Sequence, residues 1–307
     1  MPADPMLALE SLGYTEREAA FLYLVAVHSG YFLRRQFDYY IDRQPGAIAQ
    51  RFLEKTRSLG HVRYVDCGES RYVYQLFSKP IYRLIGNADS QNRRWKGDGM
   101  IRARLMALDY VLENEDAHFL ISESAKAHFF SAVRRIPDEF FTDCNGRLLP
   151  LLATFPISVA DRVQSATSTV RLLFPDEALL TEAKFRRFLT QVERLLWAIG
   201  NFEVIYAATS EYTFPLAEEE FWKHFSDVPA DLQRTFADDW RDMRWPATRR
   251  PSNLNAKFST LLLKYSYPQL RRKESPTPGA IRRLSLLDER QLTQIHTDRE
   301  SRGSSAG

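Results

Sequence analysis

The chain has 307 residues, 44% hydrophobic and 26% charged, which is enough to bury a sizeable core and sets an expectation of one to three domains. No apolar run reaches the length of a membrane-spanning helix, about 18 residues, and MPADPMLALE lacks the basic start and apolar stretch of a secretion signal. A cytoplasmic protein with no membrane contact is therefore expected, and two isolated cysteines, Cys67 and Cys144, argue against a disulfide framework or a structural zinc site.

Charge is unevenly spread behind a net value of +3. Residues 1–86 sum to +2, residues 87–240 to −7 and residues 241–307 to +8. A polyanion responds to local charge, so the basic tail and the acidic middle are more informative than the average.

In chain order, Thr15 and Glu18 form a capping box that predicts a helix over about Glu16–His28, closed at Gly30. YFLRRQFDYYI is expected to be a second helix, with Phe32, Leu33, Phe37, Tyr40 and Ile41 inward. After Arg43-Gln44-Pro45-Gly46, the run AIAQRFLEKTRSLG predicts a third helix, held to the domain by Ile48, Phe52 and Leu53. HVRYVDC and SRYVYQLF alternate as two strands around Gly68, and KPIYRLIG adds a short helix with proline in its first turn. NADSQNRRWKGD, Asn87–Asp98, reads as a domain boundary.

Beyond it, MIRARLMALDYVLEN is an amphipathic helix, and HFLISESAKAHFFSAV suggests a strand and a helix. RLLPLLATFPISVA and TVRLLFPDEA read as buried strands, EAKFRRFLTQVERLLWAIG as the strongest helix and NFEVIYAAT as another strand. Strand, helix, strand predicts a βαβ unit and a partly parallel sheet. EEEFWKHF, ADLQRTFADDWRDM and PSNLNAKFSTLLLKYSYPQL are expected helices. In the tail only AIRRLSLLDERQLTQI is helix-like, and the last dozen residues are expected to be disordered. The expectation is an α+β chain: a winged helix-turn-helix over residues 1–86, an α/β domain over 99–245 and a basic helical and disordered tail over 246–307.

Three helices followed by a two-stranded ribbon is the order a winged helix-turn-helix requires, with the third helix entering the major groove. That reading turns Gln44, Ala47, Gln50, Arg51, Glu54 and Lys55 toward DNA. Gln50 suits an adenine edge and Arg51 a guanine edge. Arg34, Arg35, Arg43, Lys55 and Arg57 are expected near phosphates, as are Arg63 and Arg71 on the wing. Asp38, Asp42, Glu54, Asp66 and Glu69 dilute this patch. In the tail, Arg249-Arg250, Arg271-Arg272-Lys273 and Arg282-Arg283 are small basic clusters that suit either a phosphate-gripping arm or a solubilising extension.

LGYTEREAAFLYLVAVHSGYFLRRQF, AIAQRFLEKTRSLGHVRYV and RYVYQLFSKPIYRLIG resemble the amino-terminal region of the replication-relaxation type of winged-helix proteins, encoded largely by plasmids, integrative elements and phages. The likeness covers about the first 86 residues, with Tyr14 where that pattern usually has leucine. It implies a double-stranded DNA-binding protein acting in replication, transfer or transcriptional regulation. It also implies a middle domain akin to a restriction-endonuclease core, echoed in IPDEFF followed by LLPLLATFPISV. Such a core needs an Asp and then a carboxylate-x-Lys element on a strand to hold Mg²⁺ and orient water. Asp138 suits the first position, but Phe155-Pro156-Ile157-Ser158 supplies neither carboxylate nor lysine, so the resemblance implies a degenerate, non-catalytic core.

Asp176 and Glu177 read as helix-start charges, and the six histidines show no metal-binding spacing. No catalytic residue, metal or cofactor is expected. The acidic middle is expected to hold a protein partner or a second copy. A protein-binding scaffold is the alternative reading, with a metal-dependent nuclease last.

Overall fold

A short helix α1, Pro5–Glu10, starts under Asp4, whose side chain accepts from the Met6 amide. The capping box read from the sequence opens α2, Glu16–His28: Thr15 Oγ1 accepts from the Glu18 amide and the Glu18 carboxylate accepts from the Thr15 amide. The computed structural model describes residues 4–42, 46–68, 71–160, 168–177, 181–225, 254–265 and 267–268. They all fall within one unit, Met1–Gln269.

After α2 the chain turns at Gly30, in the left-handed region at φ 79°, and forms a two-residue strand β1, Tyr31–Phe32. Helix α3 covers only Arg34–Tyr40, so the single helix expected over YFLRRQFDYYI is corrected to a strand and a helix. The cause is non-local, since Tyr31 pairs with Gln75 and Phe32 with Tyr74, more than 40 residues away along the chain by their own numbers. Leu33 stays extended, and its amide donates to the side chain of Gln36, which starts α3. Helix α4, Ala47–Ser58, precedes strands β2, Val62–Asp66, and β3, Tyr72–Leu76, and then α5, Lys79–Leu84, with proline in its first turn. The three strands form an antiparallel sheet in the order β1-β3-β2.

Aromatic rings fill the space between these helices and the sheet. Phe37 stacks on Phe52 at 4.0 Å, and Phe21 meets Phe32, Phe37 and Phe52 edge-on at 5.1–5.9 Å. Helix α6, Asp98–Glu113, completes this core with Leu108 and Leu112. Its other side places Ala103, Met106, Ala107, Tyr110 and Val111 against Leu173, Ile205 and Ala207 of a second sheet. Nearly every residue of α6 from Ile101 to Leu112 is buried.

The second sheet runs β4, His118–Phe119; β5, Ile157–Val159; β6, Val170–Asp176; β7, Asn201–Ala208; and β8, Asn255–Leu262. β4, β5 and β6 pair antiparallel, whereas β6-β7 and β7-β8 are parallel. Helix α9, Thr181–Ile199, joins β6 to β7, giving the βαβ unit read from the sequence. Phe185, Phe188, Leu189, Val192, Leu195 and Leu196 of α9 pack on Phe174 and Tyr206, on the sheet face opposite α6. Helices α7, Glu123–His128, and α10, Phe214–Phe225, flank the sheet, and the chain is mixed α+β with two sheets.

Two expectations change here. RLLPLLATFPISVA divides into helix α8, Pro150–Thr154, and the short strand β5, because Pro150 fits a first helical turn and Lys126 donates to the Leu152 and Phe155 carbonyls at its end. NLNAKFSTLLL, expected to be helical, holds β8. Its period is two: Ala256 and Phe258 reach the α9-side core, while Lys257 and Ser259 meet Glu203 on the other face. ADLQRTFADDWRDM, AIRRLSLLDERQLTQI and the three basic clusters lie outside the described residues. No helix among the described residues is long and apolar enough to cross a membrane.

Candidate nucleic-acid interface

Helix α4 buries Ala49, Phe52, Leu53 and Thr56, one stripe at helical spacing. Ala47, Gln50, Arg51 and Glu54 are exposed on the other side, and Ile48, expected to anchor the helix, is itself 50% exposed, with Ala49 taking its place. Gln50 donates to Glu54 at 2.6 Å, so the amide is engaged along the helix. Arg34 lies beneath the helix start, donating to the Gly46 carbonyl at 2.9 Å with Asp38 at 3.7 Å. It fixes the entry to α4. Arg43 and Gln44 lie outside the described residues.

Lys55 is turned back to the protein. It pairs with Glu18 at 2.6 Å and lies 5.8 Å from the Tyr14 ring centre, because the capping-box carboxylate is largely buried and attracts a cation. Arg35 is turned away from the surface of α4 altogether. It holds the buried Asp109 of α6 through two hydrogen bonds and stacks 3.9 Å from the Tyr265 ring centre. Burial disfavours its cation, but hydrogen bonding and charge from Asp109 outweigh that and raise its pKa. Both residues leave the DNA-facing set.

The ribbon has two unlike faces. Tyr64, Tyr72 and Tyr74 cluster on the side of α4, where the Arg57 guanidinium sits 4.3 Å from the Tyr64 ring centre. Nothing local in the sequence ties Arg57 to this group, although Tyr72 and Tyr74, two residues apart, necessarily share a strand face. Arg63 belongs to the opposite face, where it donates to Gln75 at 2.6 Å and lies over Phe77 and Trp95. It is not beside α4, as the wing reading expected. Arg71 is exposed at the turn, its carbonyl accepting from the Cys67 amide and its amide donating to Gly68.

The chain matches no protein-family model, no curated protein and no solved structure.

Asp138 lies exposed in a single turn of 3₁₀ helix outside the second sheet, and Ser158 is buried on β5 of that sheet. Asp176 accepts from the Tyr206 hydroxyl at 2.6 Å, and Glu177 pairs with Lys184. Among the described residues, no three His, Cys, Asp or Glu side chains are grouped to hold a metal ion.

Proposed function

We propose that residues 1–86 form a winged helix-turn-helix that binds double-stranded DNA sequence-specifically, with α4 as its recognition helix. The observation that carries this reading is α4 itself: four buried side chains anchor it while Ala47, Gln50 and Arg51 project outward from its first turns. The order α2-β1-α3-α4-β2-β3, with sheet order β1-β3-β2, supports it, since a recognition helix needs a preceding helix and a ribbon to set its approach. In this reading Gln50 leaves Glu54 for a base edge, Arg51 reads a guanine and Arg71 lies near phosphate. The chain would serve a plasmid, phage or integrative element in replication, transfer or transcriptional regulation without catalysis, as the likeness of its first 86 residues implies. The −7 charge of residues 87–240 supports a protein partner or a second copy on the α/β part.

The test is selection of bound duplexes from genomic DNA, followed by titration of a selected and a scrambled duplex. Gln50→Ala with Arg51→Ala is expected to erase the preference between them, each bidentate contact contributing about 1–3 kcal/mol of discrimination. Absence of duplex binding at low salt would overturn the reading. One observation favours a second one: the exposed Ile48 and the Gln50–Glu54 hydrogen bond give α4 a mixed apolar and acidic surface suited to protein. Loss of a co-purifying protein on Ile48→Glu, with DNA binding absent, is the outcome expected from it.

A further inference from the structure

The segment Gln91–Lys96 is fastened along the ribbon face that α4 leaves open. Gln75, fully buried, accepts from Arg63 and donates through Nε2 to the Arg93 carbonyl at 3.0 Å. Tyr31 donates its hydroxyl to the Arg94 carbonyl and accepts from the Lys96 amide, both at 2.9 Å. Asn92 donates to the Ala26 and Val27 carbonyls at the end of α2. This strap is thus fixed in place at every second residue or closer.

Its outward side chains include two cations, Arg94 and the half-buried Lys96. Arg94 is exposed, Trp95 is 43% exposed, and the Arg63 guanidinium lies 5.2 Å from the Trp95 ring centre. Among the described residues, none of Arg63, Arg93, Arg94 and Lys96 has a carboxylate within ion-pair distance. Burial, then the charges of Arg104 and Arg94, push the Lys96 ammonium below its ordinary range. The cluster repels itself, and a polyanion relieves that repulsion.

We propose that Arg94 and Lys96 of this strap, together with Arg63 of β2 beside it, form a second phosphate-backbone contact for duplex DNA, separate from α4. The inference rests on the DNA-binding reading above. Backbone rather than bases is the target, because Arg63 covers one face of Trp95 and Tyr31 meets its ring at 77°, so the indole orients a guanidinium instead of offering a free stacking platform. Such contacts set affinity and salt dependence without choosing sequence.

The test uses the full chain and a duplex extended on both sides of the selected site, titrated at several salt concentrations. Arg94→Glu with Lys96→Glu is expected to weaken selected and scrambled duplexes by the same factor. The milder pair Arg94→Gln with Lys96→Gln is expected to lower the slope of log affinity against log salt by about two. Arg187→Glu, an equal charge change per residue on α9, is expected to leave both unchanged. Unaltered affinity and slope in the strap variants, while the Gln50 and Arg51 double variant still loses its preference, overturns the strap and leaves the recognition helix standing. A loss confined to single-stranded competitor and produced by Trp95→Ala overturns it in favour of base stacking. Failure of the parent chain to bind duplex at low salt overturns both proposals together.

Discussion

Arg35 on α3 and Asp109 on α6 meet through paired hydrogen bonds of 2.7 and 2.8 Å, and the Tyr267 hydroxyl donates to the same carboxylate. Burial first, and then the Asp109 charge, hold that hydroxyl well above its ordinary pKa, so it remains a donor. Three stretches distant along the chain thereby converge on one carboxylate.

Removing the arginine strands a buried negative charge. Arg35→Ala is expected to cost about 3 kcal/mol, the lower end for a broken buried pair, because the Arg35 side chain is 30% exposed. Urea denaturation would show a lower midpoint at constant slope, while duplex affinity measured well below the melting temperature stays unchanged. A reduced salt slope with unaltered stability would instead return Arg35 to the phosphates.

Gly30 has no room for a side chain. Its φ of 79° is strained for other residues, and an added Cβ would press into the Asn92 carbonyl, which belongs to the strap. Gly30→Ala is expected to cost about 3 kcal/mol or more. Gly86 provides the comparison: φ is 75° but open space surrounds its Cβ position, so Gly86→Ala should cost only about 1 kcal/mol of backbone strain. Equal urea midpoints for the two variants would show that the strap yields.

His28 is buried edge-on to Phe119, and burial, followed by the charge of Lys126, lowers its pKa from 6.5 to about 3. The folded state therefore binds fewer protons than the unfolded one below pH 6.5. Stability from the neutral ring is complete above that value and falls as the pH drops toward 3, by about 1.4 kcal/mol per unit. Denaturation at a series of pH values should give the parent a slope steeper by one proton than His28→Leu, and parallel slopes would contradict the buried neutral ring.

Glu54 sits on the exposed face of α4 and accepts from Gln50. On the DNA-binding reading proposed above, Glu54→Gln removes a charge that would repel phosphate and is expected to tighten duplex binding several-fold at low salt, with the gain fading as salt rises. Weaker binding would mean that Glu54 accepts from a cytosine amino group.

Local signals carried much of this fold. The Thr15–Glu18 box opens α2, and the spacing of Phe185, Phe188, Val192 and Leu196 marks the buried face of α9. What local signals missed was set at long range. Two residues of β1 gain their pairing from β3, and the period-two pattern of β8 was obscured by three consecutive leucines. The expected site erred in the same way: Lys55 and Arg35 look exposed until Glu18 and Asp109, 37 and 74 residues away, take them up. Arg94, Trp95 and Lys96 looked like part of a linker because the donors and acceptors that fasten the strap, Tyr31 and Gln75, belong to the sheet.

Helix α6 contributes Leu108 and Leu112 to one core and Met106, Ala107 and Val111 to another. A gene fragment ending before it would encode an aromatic core with one wall missing, exposed to aggregation. Recombination that exchanges the part of the chain before α6 therefore has to carry α6 along, or recreate both of its apolar faces at once.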